Sequence, residues 1–486
     1  MRRLWLATVT VLTGFWATAA TPATVTFVHI NDIYEIQPIE GGKYGGAARV
    51  ATAVARLRKT AAPVVVTLGG DYLSPSALGT ARVDGTPLAG RQMVDVLNAV
   101  GVDWATFGNH EFDVSEAAFR QHLRDAKFRL VSSNVVGADG KPFPGVAESA
   151  VVQAKAGKRT LRIGLIGITT DVNAKPWVGY RDAIAAAREQ IAKLHGRVDA
   201  IVALTHLTLG QDAEFLEALP EVDLVLGGHE HENWLARRGP RLAPIVKADA
   251  NVRSMAVVRL DFGPPGTRPT ADVRLVSIDD TIPADRAVSQ LADRWTAAGF
   301  EAFRHDGFAP ETVVATSNEP LDGRESVVRN RPGRLTDLIA AAMAREAAPV
   351  DVALFNAGSV RIDDVLPPGP ITEYDIIRVL PFGGRIVATT MDGALLARVL
   401  DMGENNQGLG GYLQVRGAEH KADGWLVGGR PLDPAARYRV ALNDFLLSGG
   451  EINMGFLTRS NPQVHDLREL RDIRRAVIDE LKATYK

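Results

Sequence analysis

Apolar, β-branched runs in the first half of this chain stop, one after another, at polar loops that carry a metal-competent side chain. Residues 24–30 alternate as a strand and run into Asn31-Asp32-Ile33-Tyr34-Glu35. Residues 64–68 run into Gly69-Gly70-Asp71. Residues 102–107 run into Gly108-Asn109-His110-Glu111-Phe112-Asp113, residues 200–204 into Thr205-His206, and residues 222–226 into Gly227-Gly228-His229-Glu230-His231. Helical periodicity separates these runs at 45–58, 90–100, 114–123, 183–195 and 213–218. Strand, loop and helix in repetition specify a layered α/β domain. In such a domain the loops at the strands' carboxyl ends share one edge, which is where open α/β sheets place their chemistry.

With 486 residues, the chain exceeds what one core usually holds, so two domains are expected. Residues 252–278 read as paired strands closing the first, 284–306 as a connecting helix, and 307–486 as a second, loop-rich α+β domain. The formal net charge of -2 supplies no basic field, so no nucleic-acid polymer is expected as a partner. Met1-Arg2-Arg3, an apolar run over 4–16 and Ala17-Thr18-Ala19 read as a signal peptide over 1–20. With no cysteine in the chain, a lipoprotein anchor, disulfides and thiolate metal chemistry are all excluded. The expected product is a periplasmic or secreted protein with no stable membrane anchor after cleavage.

The loop residues make a coherent donor set. Asp32, Asp71, Asn109, His206, His229 and His231 are hard and borderline ligands at successive strand ends, and converge on a dinuclear metal site. Asp71 suits a bridging role, because a carboxylate can face two cations and its glycine neighbour lets the backbone approach them. His110 offers a proton switch near neutral pH, with Asp113 placed to orient its ring. His29, near the end of the first strand, is read as structural or as a support to the ligands.

This order of motifs resembles the calcineurin-like metallophosphoesterases. Within them it is similar to the secreted two-domain 5'-nucleotidase / UDP-sugar hydrolase / 2',3'-cyclic nucleotide phosphodiesterase family, over residues 25–450. The resemblance implies an N-terminal four-layer α/β/β/α sandwich over 24–283 and a C-terminal α+β 5'-nucleotidase domain over 307–486, joined by the helix. It implies two divalent or mixed-valence ions, with Mn, Zn or Fe the candidates. One ion would be held by Asp32, Asp71 and His231, the other by Asp71, Asn109, His206 and His229. His110 would stabilise the transferring phosphoryl group or the leaving oxygen, with Asp113 setting its tautomer.

In the second domain, Asn356-Ala357-Gly358-Ser359-Val360-Arg361 resembles the family's substrate loop, with Arg361 clamping phosphate. Arg329 and Arg331 resemble further phosphate-facing arginines. Phe382 and Phe445 stand where the family sandwiches a nucleobase, and Glu451 stands where the family usually has an aspartate toward the sugar. One departure falls in the first metal motif. The family's Asp-x-His is here Asp32-Ile33-Tyr34. Tyr34 either ligates as a phenolate, favouring a ferric ion, or only packs, or leaves Glu35 to take the place.

The function implied is release of phosphate from nucleoside 5'-monophosphates, with a small nucleotide as the partner. A 2',3'-cyclic nucleotide phosphodiesterase, a UDP-sugar pyrophosphatase, a thiosulfohydrolase-like relative, and a nucleotide-binding protein with an impaired first metal site remain open.

Overall fold

The computed structural model describes residues 23–60, 63–172 and 174–485; the signal-peptide reading lies outside them. Two sheets pack face to face in the N-terminal half. In the first, the strands Val146–Ala147, Arg129–Val131, Trp104–Ala105, Val64–Leu68, Ala23–Ile30, Ser254–Phe262 and Thr270–Ser277 lie in that order. Pairing is parallel as far as Ala23–Ile30, and antiparallel through the last two strands. The second sheet runs Ser149–Ala156, Arg159–Thr169, Ala200–His206, Leu224–Gly227, Ala243–Lys247 and Trp234–Arg238. Its central strands are parallel.

Phe27, Val65 and Trp104 from one sheet meet Ile163, Val202, Leu226 and Val246 from the other in a buried layer. The helices Ala47–Arg58, Arg91–Val100 and Glu116–Asp125 cover the outer face of the first sheet. Ala183–Leu194 and Leu209–Ala218 cover the second. Helix, sheet, sheet, helix is the expected layering. Parallel strands bury both faces, which explains why these runs read as continuous apolar stretches.

Local departures from the sequence reading have specific causes. The strand expected over 102–107 pairs only at Trp104–Ala105. The strand Arg129–Val131 is followed by a second short strand, Val135–Gly137, which pairs with Val178–Tyr180 in a separate sheet. Between them, Ser133 donates its backbone N–H to Gly167 and Asn134 bonds Thr169, so this segment crosses from one sheet to the other. The helix expected to start at 213 starts at Leu209, where Thr208 and Gln211 form a reciprocal cap.

The long helix Arg286–His305, capped by Asp285, packs on Ala47–Arg58 and Arg91–Val100. Its Phe300 and Phe303 rings meet Tyr374 of the C-terminal half at 4.7 and 6.2 Å. That half is built on a mixed sheet of Leu413–Arg416, Val352–Asn356, Arg437–Asn443, Arg385–Asp392 and Val464–Asp472. Along Val352–Asn356 side chains alternate between two cores, as a strand with covered faces requires. Ala353 and Phe355 join the layer under Arg334–Glu346 and Ile473–Thr484, while Val352 and Leu354 face Gly393–Asn405.

His29 ties the two N-terminal sheets together. Its ring is fully buried, with Nδ1 3.0 Å from Thr67 Oγ1 and Nε2 2.9 Å from the Gly227 carbonyl on the other sheet. Burial pushes its pKa down from 6.5 to about 4. Below pH 6.5 the unfolded chain therefore binds a proton that the folded chain refuses. Stability should fall by about 3 kcal/mol as pH drops from 6.5 to 4 on this account alone. Denaturant titrations of wild type and His29→Gln should show a flatter acid limb for the variant, and parallel limbs would remove His29 from the acid sensitivity.

Candidate active site

The carboxyl ends of the two sheets meet where the expected ligands stand. Asp32 and Asp71 follow neighbouring parallel strands, and the loops are tied directly: Asp32 N–H donates to the Gly70 carbonyl and Ile33 N–H to that of Asp71. His206 ends its strand on the second sheet, and its Nδ1 stands 2.7 Å from the Gly69 carbonyl on the first. That contact fixes the ring and aims Nε2 inward, 3.2 Å from Asp71 Oδ2 and 3.8 Å from Asp32 Oδ1. The His229 ring lies 5.1 Å from that of His206, and its backbone N–H donates to Asp32 Oδ2. His231 Nε2 stands 3.5 Å from Asp32 Oδ1.

Reaching these positions strains the backbone. Asp32, Asp71, His229 and His231 all adopt positive φ, a conformation that L side chains other than Asn and Asp rarely hold. The glycines make the approach possible. A Cβ at Gly228 would sit 2.6 Å from the Gly69 carbonyl oxygen and 2.8 Å from Asp32 Oδ2.

The donor set fits metal ions on two observations. Asp32, Asp71 and His206 present ligand atoms within 4.8 Å of one another, all buried. Among the described residues, Asn109 Oδ1 is buried with no hydrogen-bond partner, which ordinary packing does not leave standing. The electrostatics agree. Burial raises the Asp32 carboxyl. Asp71 is held low against its burial by His206 and His110. Against their own burial, Asp71 and Asp32 raise His206 to about 9, while Glu325 and Asp363 raise His231 to about 10. Burial, and then His206, push His229 down to about 3. Protons on His206 and His231 thus hold a place for positive charge that a cation would take.

Beside this cluster, His110 sits in a short 3-10 turn, His110–Asp113, which the periodicity did not show. Its backbone N–H donates to Asp71 Oδ1 at 2.8 Å. Its Nδ1 is 2.6 Å from Asp113 Oδ2, and Lys175 pairs with the other oxygen of Asp113 at 3.2 Å. Nε2 therefore faces outward, 3.4 Å from the Arg361 guanidinium.

Tyr34 is buried among these side chains. Its hydroxyl lies 2.9 Å from His231 Nε2 and 3.3 Å from both Asp32 Oδ1 and Asp71 Oδ2. Burial, followed by those carboxylates, raises its pKa well above 10. Glu35 does not take the open ligand place: its carboxylate pairs with Arg378 at 3.1 Å.

The C-terminal half supplies the facing wall. Glu325 pairs with Arg329, lies 3.4 Å from Arg361 and stands 3.6 Å from His231 Nδ1. Asp363 stands 3.1 Å from the same nitrogen. A cavity of about 350 Å³ opens here, between His231 and Glu325, Asp363, Arg253 and Arg324. Arg331 is exposed and joins none of these pairs. Asn356 is buried, and its Oδ1 accepts from Ser359 at 2.6 Å and Asn443 at 2.9 Å. Phe382 and Phe445 are 55% and 46% exposed, too open for core residues, and Arg361 stands 6.0 Å from the centre of the Phe382 ring. Glu451 is buried and accepts from the Ile452 N–H.

Sequence reasoning gave no role to Glu111, Lys175, Glu325 or Asp363. The signal for Glu325 was its position four residues before Arg329 on a helical turn, and for Asp363 its position two after Arg361. Glu111 accepts from the N–H groups of Gly108, Asp71, Tyr72 and Leu73, which holds the loops of Asp71 and Asn109 together. Burial, and then Asp71, raise its pKa to about 7.

Comparison with known proteins agrees with this arrangement. Residues 25–233 match the calcineurin-like phosphoesterase model, and residues 313–457 match the 5'-nucleotidase C-terminal domain. Protein UshA of Yersinia enterocolitica is 28% identical, across 88% of this chain and 86% of that protein. The 5'-nucleotidase of Vibrio cholerae is 27% identical, across 88% and 85%. The 5'-nucleotidase precursor from Thermus thermophilus superposes with a TM-score of 0.77 at 23% identity, covering 95% and 96% of the two chains. The sulfate thiohydrolase SoxB of Thermus thermophilus superposes at 0.72 with 18% identity, covering 94% of each, so likeness of fold alone does not choose the ester.

Proposed function

Because the chain belongs to the calcineurin-like phosphoesterases that carry a 5'-nucleotidase C-terminal domain, and is a hydrolase of phosphoester bonds, we propose that it releases phosphate from nucleoside 5'-monophosphates. The observation that carries this reading is the pair of exposed rings, Phe382 and Phe445, on the half that also presents Arg361 to His110. A nucleobase stacks on such rings whatever its identity. A small sulfur ester has no use for them.

Asp32, Asp71 and His231 would hold one ion, and Asp71, Asn109, His206 and His229 the other. When bound, the ions supply the Lewis acidity that makes water nucleophilic near neutral pH and neutralises the phosphoryl oxygens. The remaining work belongs to the protein's own groups. Arg361 and Arg329 clamp the phosphate with planar, permanently charged forks. Glu325 sits between these arginines, so phosphate entry would exchange one anion for another. His110, with Nδ1 held by Asp113, presents Nε2 to the phosphoryl group or the leaving oxygen. Glu451 faces the sugar. The catalytic domain over 24–283, the helix over 284–306 and the substrate domain over 307–486 are the division this reading requires, and export to the periplasm would place the enzyme with extracellular nucleotides.

Phe445→Ala should raise KM for AMP about tenfold or more and leave KM for a simple alkyl phosphate unchanged. Steady-state kinetics on both substrates decides it, and equal effects would overturn base stacking and with it the nucleotide assignment.

A further inference from the structure

Tyr34 stands where its hydroxyl has more partners than a phenol can serve. A neutral phenol carries one proton to donate. Here two carboxylate oxygens, from Asp32 and Asp71, lie 3.3 Å away, and His231 Nε2 lies 2.9 Å away. The other nitrogen of His231 faces Asp363 at 3.1 Å and Glu325 at 3.6 Å, which fixes the ring and aims Nε2 at the same point. Four ligand-type atoms thus face one small space. Ligands about 2.1 Å from a common cation lie roughly 3.0 Å apart at right angles and 3.4 Å apart at tetrahedral angles. The contacts of Tyr34 with Asp32, Asp71 and His231, and of His231 with Asp32, run from 2.9 to 3.5 Å, the range of neighbours in a coordination shell.

We propose that Tyr34 is a direct ligand, as a phenolate, of the ion held by Asp32, Asp71 and His231, and that this position selects a trivalent cation, iron(III), over a divalent one. On binding, the phenol O–H bond breaks, the oxygen–metal bond forms, and the proton leaves to water. The inference rests on the dinuclear reading above.

The charge balance is what singles out iron(III). Asp32, Asp71 and Tyr34 would bring three negative charges into a buried site, and a divalent ion would leave one of them uncompensated at high cost. A trivalent ion cancels all three. The second position draws on Asn109, His206 and His229, which are neutral as ligands, and shares only Asp71. A divalent ion there leaves the filled centre with two positive charges, the complement of a phosphomonoester dianion. An imidazole in place of Tyr34 would reach the same balance with two divalent ions, so the exchange of residue and the exchange of ion compensate one another. Glu35, the other oxygen nearby, is occupied by Arg378 and does not compete.

The test is spectroscopic. Full-length mature protein is stripped with a chelator, then loaded with one equivalent of iron(III) citrate followed by one of zinc. Wild type should bind one iron and show a visible phenolate-to-iron(III) charge-transfer band. Tyr34→Phe should lose the band and bind iron more weakly. Tyr34→His should bind two divalent ions and stay colourless with iron. Near-ultraviolet circular dichroism checks that each variant is folded, and if Tyr34→Phe is not, Tyr34→His carries the comparison. An iron-loaded wild type without the band, or a band that survives in either variant, overturns the assignment. AMP hydrolysis is measured on the same samples. A colourless but active wild type sinks the phenolate and leaves the nucleotidase standing; a coloured protein inactive on nucleotides does the reverse.

Discussion

Replacing His110 by alanine is expected to lower turnover by about 10²- to 10⁴-fold while metal content stays at the wild-type level. The expectation follows from a division of labour within one residue. The backbone N–H of His110 serves the metal loop, donating to Asp71 Oδ1 at 2.8 Å, and survives the substitution. The ring points away from that loop. Asp113 holds Nδ1, and Nε2 reaches the Arg361 side, where the phosphate is proposed to bind. Truncation therefore removes the group that meets the reacting phosphoryl and leaves the ligands in place. Elemental analysis beside single-turnover kinetics on AMP reads both. Near-normal turnover would take His110 out of the mechanism, and a parallel loss of metal would recast it as a structural residue. Asp113→Asn should show a smaller loss in the same direction, since it changes only how the ring is held.

Gly108→Ala is expected to abolish high-affinity metal binding, with a loss of about 100-fold or more in affinity. A Cβ at this position would lie 2.1 Å from Asp71 Oδ1 and 2.7 Å from its Cγ. No rotamer change relieves this cheaply, because Asp71 already holds a positive φ and its carboxylate is pinned by His206 and by the His110 amide. Either Asp71 leaves its place or the loop of Asn109 does, and the proposed bridging ligand sits between them. Isothermal titration with zinc or manganese measures the loss. Wild-type affinity would show that the loop yields without cost, and that the glycine is a convenience of the turn.

Much of this was visible in the residues. Asp32, Asp71, Asn109, His206, His229 and His231 could be picked out because each ends an apolar run; the expected single edge is in fact two, with the first three residues on one sheet and the histidines on the other, brought together by the packing of the sheets. The runs specified a layered α/β domain, and the four layers came from the family resemblance. What stayed hidden depended on contacts between segments far apart in sequence. The switch of Ser132, Ser133 and Asn134 from one sheet to the other is made by bonds to Gly167, Thr169 and Glu148, and no local period announces it. Glu325 and Asp363 approach His231 only once the C-terminal half is in place. The setting of Tyr34 was hidden too, because its sequence position allows ligation and packing alike until its oxygen is seen among carboxylates.

The carboxylate of Glu111 has a bearing on how the enzyme receives its substrate. Successive main-chain amides turned toward one point form a hollow that attracts anions, phosphate among them. In this chain that hollow, behind Asp71, is already stoppered by a carboxyl group from the neighbouring loop. With that hollow filled, the proposed phosphate site is left to the guanidinium side, where Arg361 and Arg329 stand. Glu111→Gln keeps the shape but removes the charge and one acceptor, so it should loosen the joint between the loops of Asp71 and Asn109 and weaken metal binding.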